Sequence, residues 1–252
     1  MPHLPGKFVW FEHLSAAPQA AERFYGALFG WKVSPMDMGG GPPYRMLMNG
    51  DQAIGGVLPA PSAAGARGAW MSHLSVADVD ASAAAAKAAG AKVVTPPTDF
   101  GGVGRGATLV DTTGATMSIW KSTQGDPADE DPPPVGAWYW NELWTGNEAK
   151  ARDFYGRAFG FTFDGEDMGP GGMYYMLMKD GVARGGIARS QRKGALSLWL
   201  PYVRVADCDA TQARAGQLGA KVLVPATDIP GIGRFAIIED PTGAATAFMQ
   251  KA

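Results

Sequence analysis

The chain repeats itself, and the repeat limits the possible folds before any single segment is read. Phe24-Tyr25-Gly26 and Phe29-Gly30 return as Phe154-Tyr155-Gly156 and Phe159-Gly160, 130 positions on. Tyr44, Met46-Leu47-Met48 and Gly55-Gly56 return at the same offset as Tyr174, Met176-Leu177-Met178 and Gly185-Gly186. Val76-Ala77-Asp78 returns as Val205-Ala206-Asp207, and Asp111, Thr113-Gly114-Ala115 as Asp240, Thr242-Gly243-Ala244, now 129 positions on. One residue has therefore been lost in the loop between Val57 and Trp70. Each copy serves as a control on the other, so a difference between them is informative.

Ser122 to Pro134 (STQGDPADEDPPP) is acidic, Pro-rich and without apolar periodicity. Proline removes donors and keeps its neighbours extended, so the stretch reads as a linker between a first domain at 1–121 and a second at 135–252. With 252 residues, each copy is long enough to bury a core. The 22 basic and 24 acidic residues give a net charge of −2, without the basic face that nucleic acid or a membrane surface would need. A single cysteine, Cys208, forms no intramolecular disulfide. No signal peptide and no apolar run near the roughly 20 residues of a membrane span are visible. The expectation is a soluble, cytoplasmic protein, monomer or homodimer, whose partner is a small-molecule ligand.

In the first copy, Phe8 to Leu14 fits a strand, and Ala17 to Phe29 carries helical apolar spacing ended by Gly30. Trp31–Ser34, Tyr44–Met48 and Ala53–Leu58 are short strands, with Asn49-Gly50 as a hairpin turn. The same order then recurs. Trp70–Val76 is a strand, Val79–Ala89 a helix, and Lys92–Thr95, Gly106–Val110 and Thr116–Trp120 are strands. The fold class is α+β: four strand–helix–three-strand units in curved mixed sheets.

The Phe-Tyr-Gly-x-x-Phe-Gly helix end, the Val-Ala-Asp before the second helix and the Asp-x-Thr-Gly-Ala before the last strand resemble the vicinal oxygen chelate superfamily. This is the glyoxalase, bleomycin resistance and extradiol dioxygenase group. The resemblance covers both copies and implies tandem domains whose sheets curl into cups around a small-molecule cavity. It leaves the activity open, because such folds host lyases, dioxygenases, epimerases and non-catalytic binding proteins. Metal-dependent members place His, Gln or Glu on the first, fourth, fifth and eighth strands. The corresponding positions here are Trp10, Gly55, Met71 and Ser118, and in the second copy Trp140, Gly185, Leu200 and Ala247. None is a ligand for a divalent ion, so neither metal nor cofactor is expected. A two-residue slip along the first and fifth strands would recruit Glu12, Glu142 and His73.

Glu12 and Glu142 are the acidic pair retained on the first strands, each two residues past a tryptophan and so on its face. Each is either an acid/base or hydrogen-bond anchor, or the partner of an arginine such as Arg105 or Arg234. His13 points to the face opposite Glu12, and His3 sits in a solvated tail. His73, matched by Tyr202, is either bonded within a polar patch or a general acid/base. Glu142, His73 and Glu12 are thus the catalytic candidates. Trp10, Trp140, Met71, Ser118, Trp120, Tyr44, Tyr174 and Tyr202 are the candidates for lining a ligand site. The methionines fit core packing. Gly39-Gly40-Gly41 and Gly101-Gly102-Val103-Gly104 lack the strand–loop–helix setting of a phosphate loop and read as hairpin tips. Cys208 is a poor nucleophile candidate.

Two arrangements are open. One cup could join Trp140 and Glu142 to Met71, His73, Ser118 and Trp120, leaving Trp10 and Glu12 with Leu200, Tyr202, Ala247 and Met249. Pairing within each copy would instead join Glu12 to His73 and Glu142 to Tyr202. The expected function is metal-independent binding of a small, partly apolar molecule in an aromatic-lined cavity. The alternative is a lyase, dioxygenase or hydroxylase-like enzyme using Glu12 or Glu142 with His73 as acid/base groups or metal ligands.

Overall fold

The computed structural model describes residues 1–39, 41–60, 67–190, 194 and 196–252. The lost residue between Val57 and Trp70 and the middle of Gly39-Gly40-Gly41 fall on positions outside those described. The first copy runs β1 (Phe8–Ser15), α1 (Pro18–Phe29), β2 (Lys32–Met36), β3 (Tyr44–Asn49), β4 (Gln52–Pro59), β5 (Ala69–Ser75), α2 (Val79–Ala88), β6 (Lys92–Phe100), β7 (Gly104–Val110) and β8 (Thr116–Ser122). The second runs β9 (Trp138–Thr145), α3 (Glu148–Phe159), β10 (Thr162–Asp167), β11 (Met173–Lys179), β12 (Val182–Arg189), β13 (Leu198–Arg204), α4 (Cys208–Gln217), β14 (Lys221–Ile229), β15 (Gly233–Glu239) and β16 (Ala245–Lys251). Two eight-stranded mixed sheets result, ordered β2-β3-β4-β1-β5-β8-β7-β6 and β10-β11-β12-β9-β13-β16-β15-β14. The α+β architecture and the four-fold unit are those expected from the repeat.

The repeated landmarks have local physical causes. Asp78 and Asp207 cap α2 and α4, accepting the backbone N–H of Ala81 at 2.9 Å and of Ala210 at 2.8 Å. Each such cap is worth about 1 kcal/mol. Gly30 and Gly160 end α1 and α3 at φ +76° and +67°, where a side chain would be strained. Asp111 Oδ1 accepts Thr113 N, Thr113 Oγ1 and Ala115 N at 2.7, 2.8 and 3.0 Å, which closes the turn before β8. Asp240 Oδ1 does the same for Thr242 and Ala244. β6 runs on through Pro96-Pro97 to Phe100, further than its expected end at Thr95. It is an edge strand with register shifts, where missing N–H groups are tolerated.

The chain forms two compact units, each made of non-adjacent segments. The first comprises Met1–Val9, Ser72–Ala128 and Trp140–Trp199; the second comprises Trp10–Met71, Asp129–Tyr139 and Leu200–Ala252. In the first unit Tyr155, fully buried on α3, donates to Asp111 Oδ2 at 2.7 Å, so the carboxylate that closes the β8 turn also anchors the helix. Trp199 Nε1 donates to the Tyr155 hydroxyl at 3.0 Å. The same unit holds the start of the Pro-rich stretch. Asp126, buried, accepts Leu4 N at 2.6 Å and Ser75 Oγ at 2.5 Å, and Lys7 Nζ donates to the carbonyls of Pro127 and Ala128. His3 is not a free tail residue, since its Nε2 donates to Ser122 O at 2.7 Å.

In the second unit the equivalent anchor is rebuilt around a histidine. His13, where the second copy has Leu143, donates from Nε2 to Asp240 Oδ2 at 2.9 Å, with both side chains inaccessible to solvent. Tyr25 bonds Thr246 Oγ1 at 2.7 Å while its hydroxyl also faces the Asp240 carboxylate, and Trp70 Nε1 donates to both Tyr25 and Thr246. The rings of Trp70 and Tyr25 meet His13 edge-on.

Candidate functional site

Alternation along β9 turns Trp140, Glu142 and Trp144 to one face and Asn141, Leu143 and Thr145 to the other. From β11, Tyr174 leans across β12 towards Glu142, and what lets it cross is the residue beneath it. Gly186 pairs with Glu142 in the β12–β9 register, and a Cβ on Gly186 would lie 1.8 Å from the Tyr174 hydroxyl. Trp140 Nε1 then donates to Tyr174 Oη at 2.7 Å, and Tyr174 Oη donates to Glu142 Oε2 at 3.2 Å. The other carboxylate oxygen, Oε1, accepts Trp144 Nε1.

The first copy repeats this relay on β1, β3 and β4. Trp10 Nε1 donates to Tyr44 Oη at 2.9 Å, Tyr44 Oη donates to Glu12 Oε1 at 2.8 Å, and a Cβ on Gly56 would lie 1.9 Å from that hydroxyl. Both glutamates are buried. The copies part at the next inward position, Leu14 against Trp144. An oxygen that accepts O–H and N–H donors suits an ionised carboxylate, which has no hydrogen to give. Burial, and then the facing carboxylate charge, push the Tyr44 and Tyr174 hydroxyls well above the ordinary phenol range. Both tyrosines therefore stay protonated as donors.

The other candidates lie as follows. His73, on β5 in the first unit, is buried beside Trp120, with ring centroids 6.2 Å apart. Ser118 pairs with His73 in the β5–β8 register, but its hydroxyl donates to Ala107 O at 3.0 Å. Trp120 lies over Gly104 and Gly106 of β7, whose missing side chains make room for the indole. Met71 is half-buried and falls in the second unit, as does Tyr202, buried with its ring 6.4 Å from Phe235. Trp140, Glu142, Tyr174, His73, Ser118 and Trp120 belong to the first unit; Trp10, Glu12 and Tyr44 belong to the second.

Arg105 and Arg234 do not serve the glutamates. Arg105 pairs with Asp80 and Asp99, and Arg234 with Asp209 and Asp228, because each arginine has nearer aspartates on the adjoining helix and edge strand. Cys208 is buried and its thiol is pushed up to about 11, chiefly by burial, which leaves it inert. Separately, Glu148, Gly169, Gly171, Gly172, Met173, Tyr175 and Arg189 line an open groove of about 330 Å³ in the first unit. It is bridged by the Glu148–Arg189 ion pair and takes in none of the expected site residues.

The metal that the fold family implies does not fit these residues. Gly55 and Gly185 stand at the fourth-strand ligand position, where a Cβ would lie 2.2 Å from Phe11 O and 2.8 Å from Asn141 O. One position along, at Gly56 and Gly186, the tyrosine hydroxyl occupies the space. Glu12 accepts the Tyr44 hydroxyl, and Glu142 accepts the Tyr174 hydroxyl and the Trp144 indole, none of them a usual ligand of a divalent ion. Among the described residues no three His, Cys, Asp or Glu side chains converge as a metal ion needs.

Sequence reasoning missed Trp144, the glycine passage for the tyrosine, and the His13–Asp240 pair. The break in the repeat at Leu14 and Trp144 was the available signal for the first, and the doubled Gly-Gly for the second. Among the described residues no helix is long and apolar enough to cross a membrane.

Comparison with known proteins agrees with this fold. Residues 10–120 match the glyoxalase-like domain family, and residues 140–248 match the glyoxalase/bleomycin resistance protein/dioxygenase superfamily. CFP32 from Mycobacterium bovis, a glyoxylase by name, is 32% identical over 249 residues, covering 96% of this chain and 94% of its own. The anthracycline biosynthesis protein DnrV of Streptomyces peucetius is 29% identical over 257 residues, covering 95% and 91%. The Mn(II)-bound glyoxalase from Novosphingobium aromaticivorans superposes with a TM-score of 0.67 at 16% identity, over 98% of this chain and 82% of that one. The 2,2',3-trihydroxybiphenyl 1,2-dioxygenase of Sphingomonas wittichii gives 0.68 at 13% identity, over 98% and 91%. These two share the fold. With both copies matched and a 32% identical relative spanning it nearly end to end, the chain belongs to the glyoxalase/bleomycin resistance protein/dioxygenase superfamily as a two-domain member.

Proposed function

We propose that the chain binds a small, partly apolar molecule without the help of a metal, at the Trp140–Glu142–Trp144–Tyr174 cluster of the second copy. The observation that carries this reading is the pair of donors on Glu142, an indole N–H on one oxygen and a phenol O–H on the other. They hold the carboxylate as a fixed acceptor flanked by partly exposed aromatic rings, the pattern of an apolar site with one polar anchor. Trp140 positions the anchor through Tyr174, while His73 and Trp120 add polar and aromatic character to the same unit. Similarity to an anthracycline biosynthesis protein is in keeping with a ligand that has an aromatic body. The first-copy cluster lacks the second tryptophan and serves as the structural counterpart.

The test is a thermal-shift screen of the purified protein against small aromatic and alicyclic compounds in EDTA. Hits are repeated after adding Mn, Fe, Ni or Zn. A compound that raises Tm in EDTA, with the shift lost in Tyr174→Phe but kept in Tyr44→Phe, supports the reading. Stoichiometric metal in the purified protein, or shifts that need added metal, would overturn it.

A further inference from the structure

We propose that the open groove between Glu148, Tyr175 and the Gly169–Gly172 turn is a second binding site, for an organic carboxylate, and that Arg152 holds the acid group. The groove is separate from the Glu142 cluster, because Tyr174 and Tyr175 are successive residues of β11 and point to opposite faces of the sheet. Its volume of about 330 Å³ is at the small end of ligand sites.

The charges around it do not balance. Arg189 donates from Nε and Nη2 to the two oxygens of Glu148, at 2.7 and 3.2 Å, so that pair is closed. Burial raises the Glu148 carboxyl, but Arg189, the backbone and Arg152 outweigh it and hold it below the ordinary range. Arg152 stands one turn further along α3. Its guanidinium lies 4.1 Å from the centre of the Tyr175 ring, and its buried Nε has no hydrogen-bond partner. The ring fixes the guanidinium in place but accepts none of its N–H fork in the way a carboxylate would. Asp167, on the neighbouring β10, is exposed and its Oδ1 accepts Gly169 N at 2.9 Å. Arg152 and Arg189 against Glu148 leave one positive charge over, which suits a monoanion.

The first copy shows what has been removed. Glu22 stands where the second copy has Arg152, and Arg45 where it has Tyr175, and the two form an ion pair. Glu148 and Arg189 correspond to Pro18 and Pro59. The first copy therefore supplies its own carboxylate to the arginine, and the second leaves the arginine without one. The walls suit an apolar body on the incoming acid. A Cβ on Gly169 or Gly172 would meet nothing within 4 Å, so one side is bare backbone, and Met173 beside it is 38% exposed.

The experiment titrates 2-naphthoate, 2-naphthalenemethanol and inorganic phosphate into the full chain, followed by calorimetry and by the backbone amide NMR signals of Gly169 and Gly172. Naphthoate is expected to saturate, to move those signals, and to bind at least about tenfold tighter than the alcohol or phosphate. Raising salt from about 0.05 to about 0.5 M should weaken the acid and spare the alcohol. Arg152→Gln is expected to lower naphthoate affinity at least about fivefold, and Arg152→Lys, which keeps the charge without the fork, to recover part of it. Arg152→Glu/Tyr175→Arg rebuilds the pair of the first copy and should abolish binding, with circular dichroism confirming the fold. Tyr174→Phe, on the other face of β11, should change nothing. Equal binding of acid and alcohol, tighter binding of phosphate, or unmoved glycine signals overturns the inference and leaves the Glu142 reading standing. Binding lost in Tyr174→Phe but kept in the Arg152 variants places the acid at the Glu142 cluster and overturns it too.

Discussion

Replacing His13 with leucine tests whether the two units are held by equivalent anchors built from different residues. His13 and Asp240 are both shut off from solvent, and removing one partner of such a pair costs about 3–5 kcal/mol because the other charge is stranded. Leucine is the right size, since Leu143 fills the same position in the second copy, so the cost isolates the lost bond from any cavity. The first unit also shows the repair. There Tyr155 donates straight to Asp111, with Met117 standing where the second unit has Thr246. In His13→Leu/Thr246→Met, Tyr25 is released from threonine and can direct its O–H fully at Asp240, whose carboxylate its hydroxyl already faces. A bond to a charged acceptor returns about 1.5–3 kcal/mol. Urea unfolding, with hydrogen exchange at the 240–244 turn as the local readout, should show the single variant clearly destabilised and the double variant partly restored. The pH dependence has a definite sign. Burial raises the Asp240 carboxyl, but His13, Thr242 and the Ala244 N–H outweigh it and hold it below the ordinary range. Its contribution is complete above about pH 3.9, the unfolded value, and fades as pH falls through the lower folded value. The cost of His13→Leu should therefore shrink below about pH 4. A single-variant cost under about 1 kcal/mol, or a double variant no better than the single, would refute the equivalence.

Other outcomes follow from the same geometry. Gly186→Ala should destabilise the chain, and Tyr174→Phe should not rescue it, because the new Cβ would still lie 2.4 Å from the ring carbon bearing the hydroxyl; Tyr174→Leu should rescue in part, read as Tm. Absorbance at 295 nm should show no more than three of the seven tyrosines ionising by about pH 11 while the chain stays folded, since Tyr25, Tyr44, Tyr155 and Tyr174 are all raised chiefly by burial. A fourth would contradict the burial of one of these four hydroxyls. Cys208 should resist a thiol reagent at about pH 8 until urea unfolds the chain, and prompt labelling would show that the α4 start opens.

What the sequence made legible was whatever depends on near neighbours. Helix ends at Gly30 and Gly160, the Val-Ala-Asp helix starts at Asp78 and Asp207, and the opposite facing of Glu12 and His13 all rest on spacing within a few residues. Long-range pairing was out of reach. Nothing along the chain says that Tyr44 crosses β4 to reach Glu12, 32 residues away, or that His13 meets Asp240 at a separation of 227. Arg105 and Arg234 were offered to the glutamates because duplication marks a position as needed without naming its partner. Trp144 escaped notice for the converse reason, since attention to what repeats passes over what does not. The ring of Trp120 over Gly104 and Gly106 likewise depends on a cross-strand register that composition does not encode.

The division of the chain into interleaved segments has a consequence for how the protein is made. Everything in the first unit has been synthesised once Trp199 leaves the ribosome, whereas the second unit needs Leu200–Ala252 to join Trp10–Met71. Residues 10–71 must therefore wait for the rest of their unit: 129–139, which bring Gly136 and Trp138 to Trp31, follow after about 60 others, and His13 and Trp70 lack Asp240 and Thr246 until synthesis is almost complete. A nascent chain stopped near residue 200 would carry a finished unit and an open one. The cost of this threading is a long interval in which apolar surface seeks a partner, the period when a chaperone or a second nascent copy would compete for it.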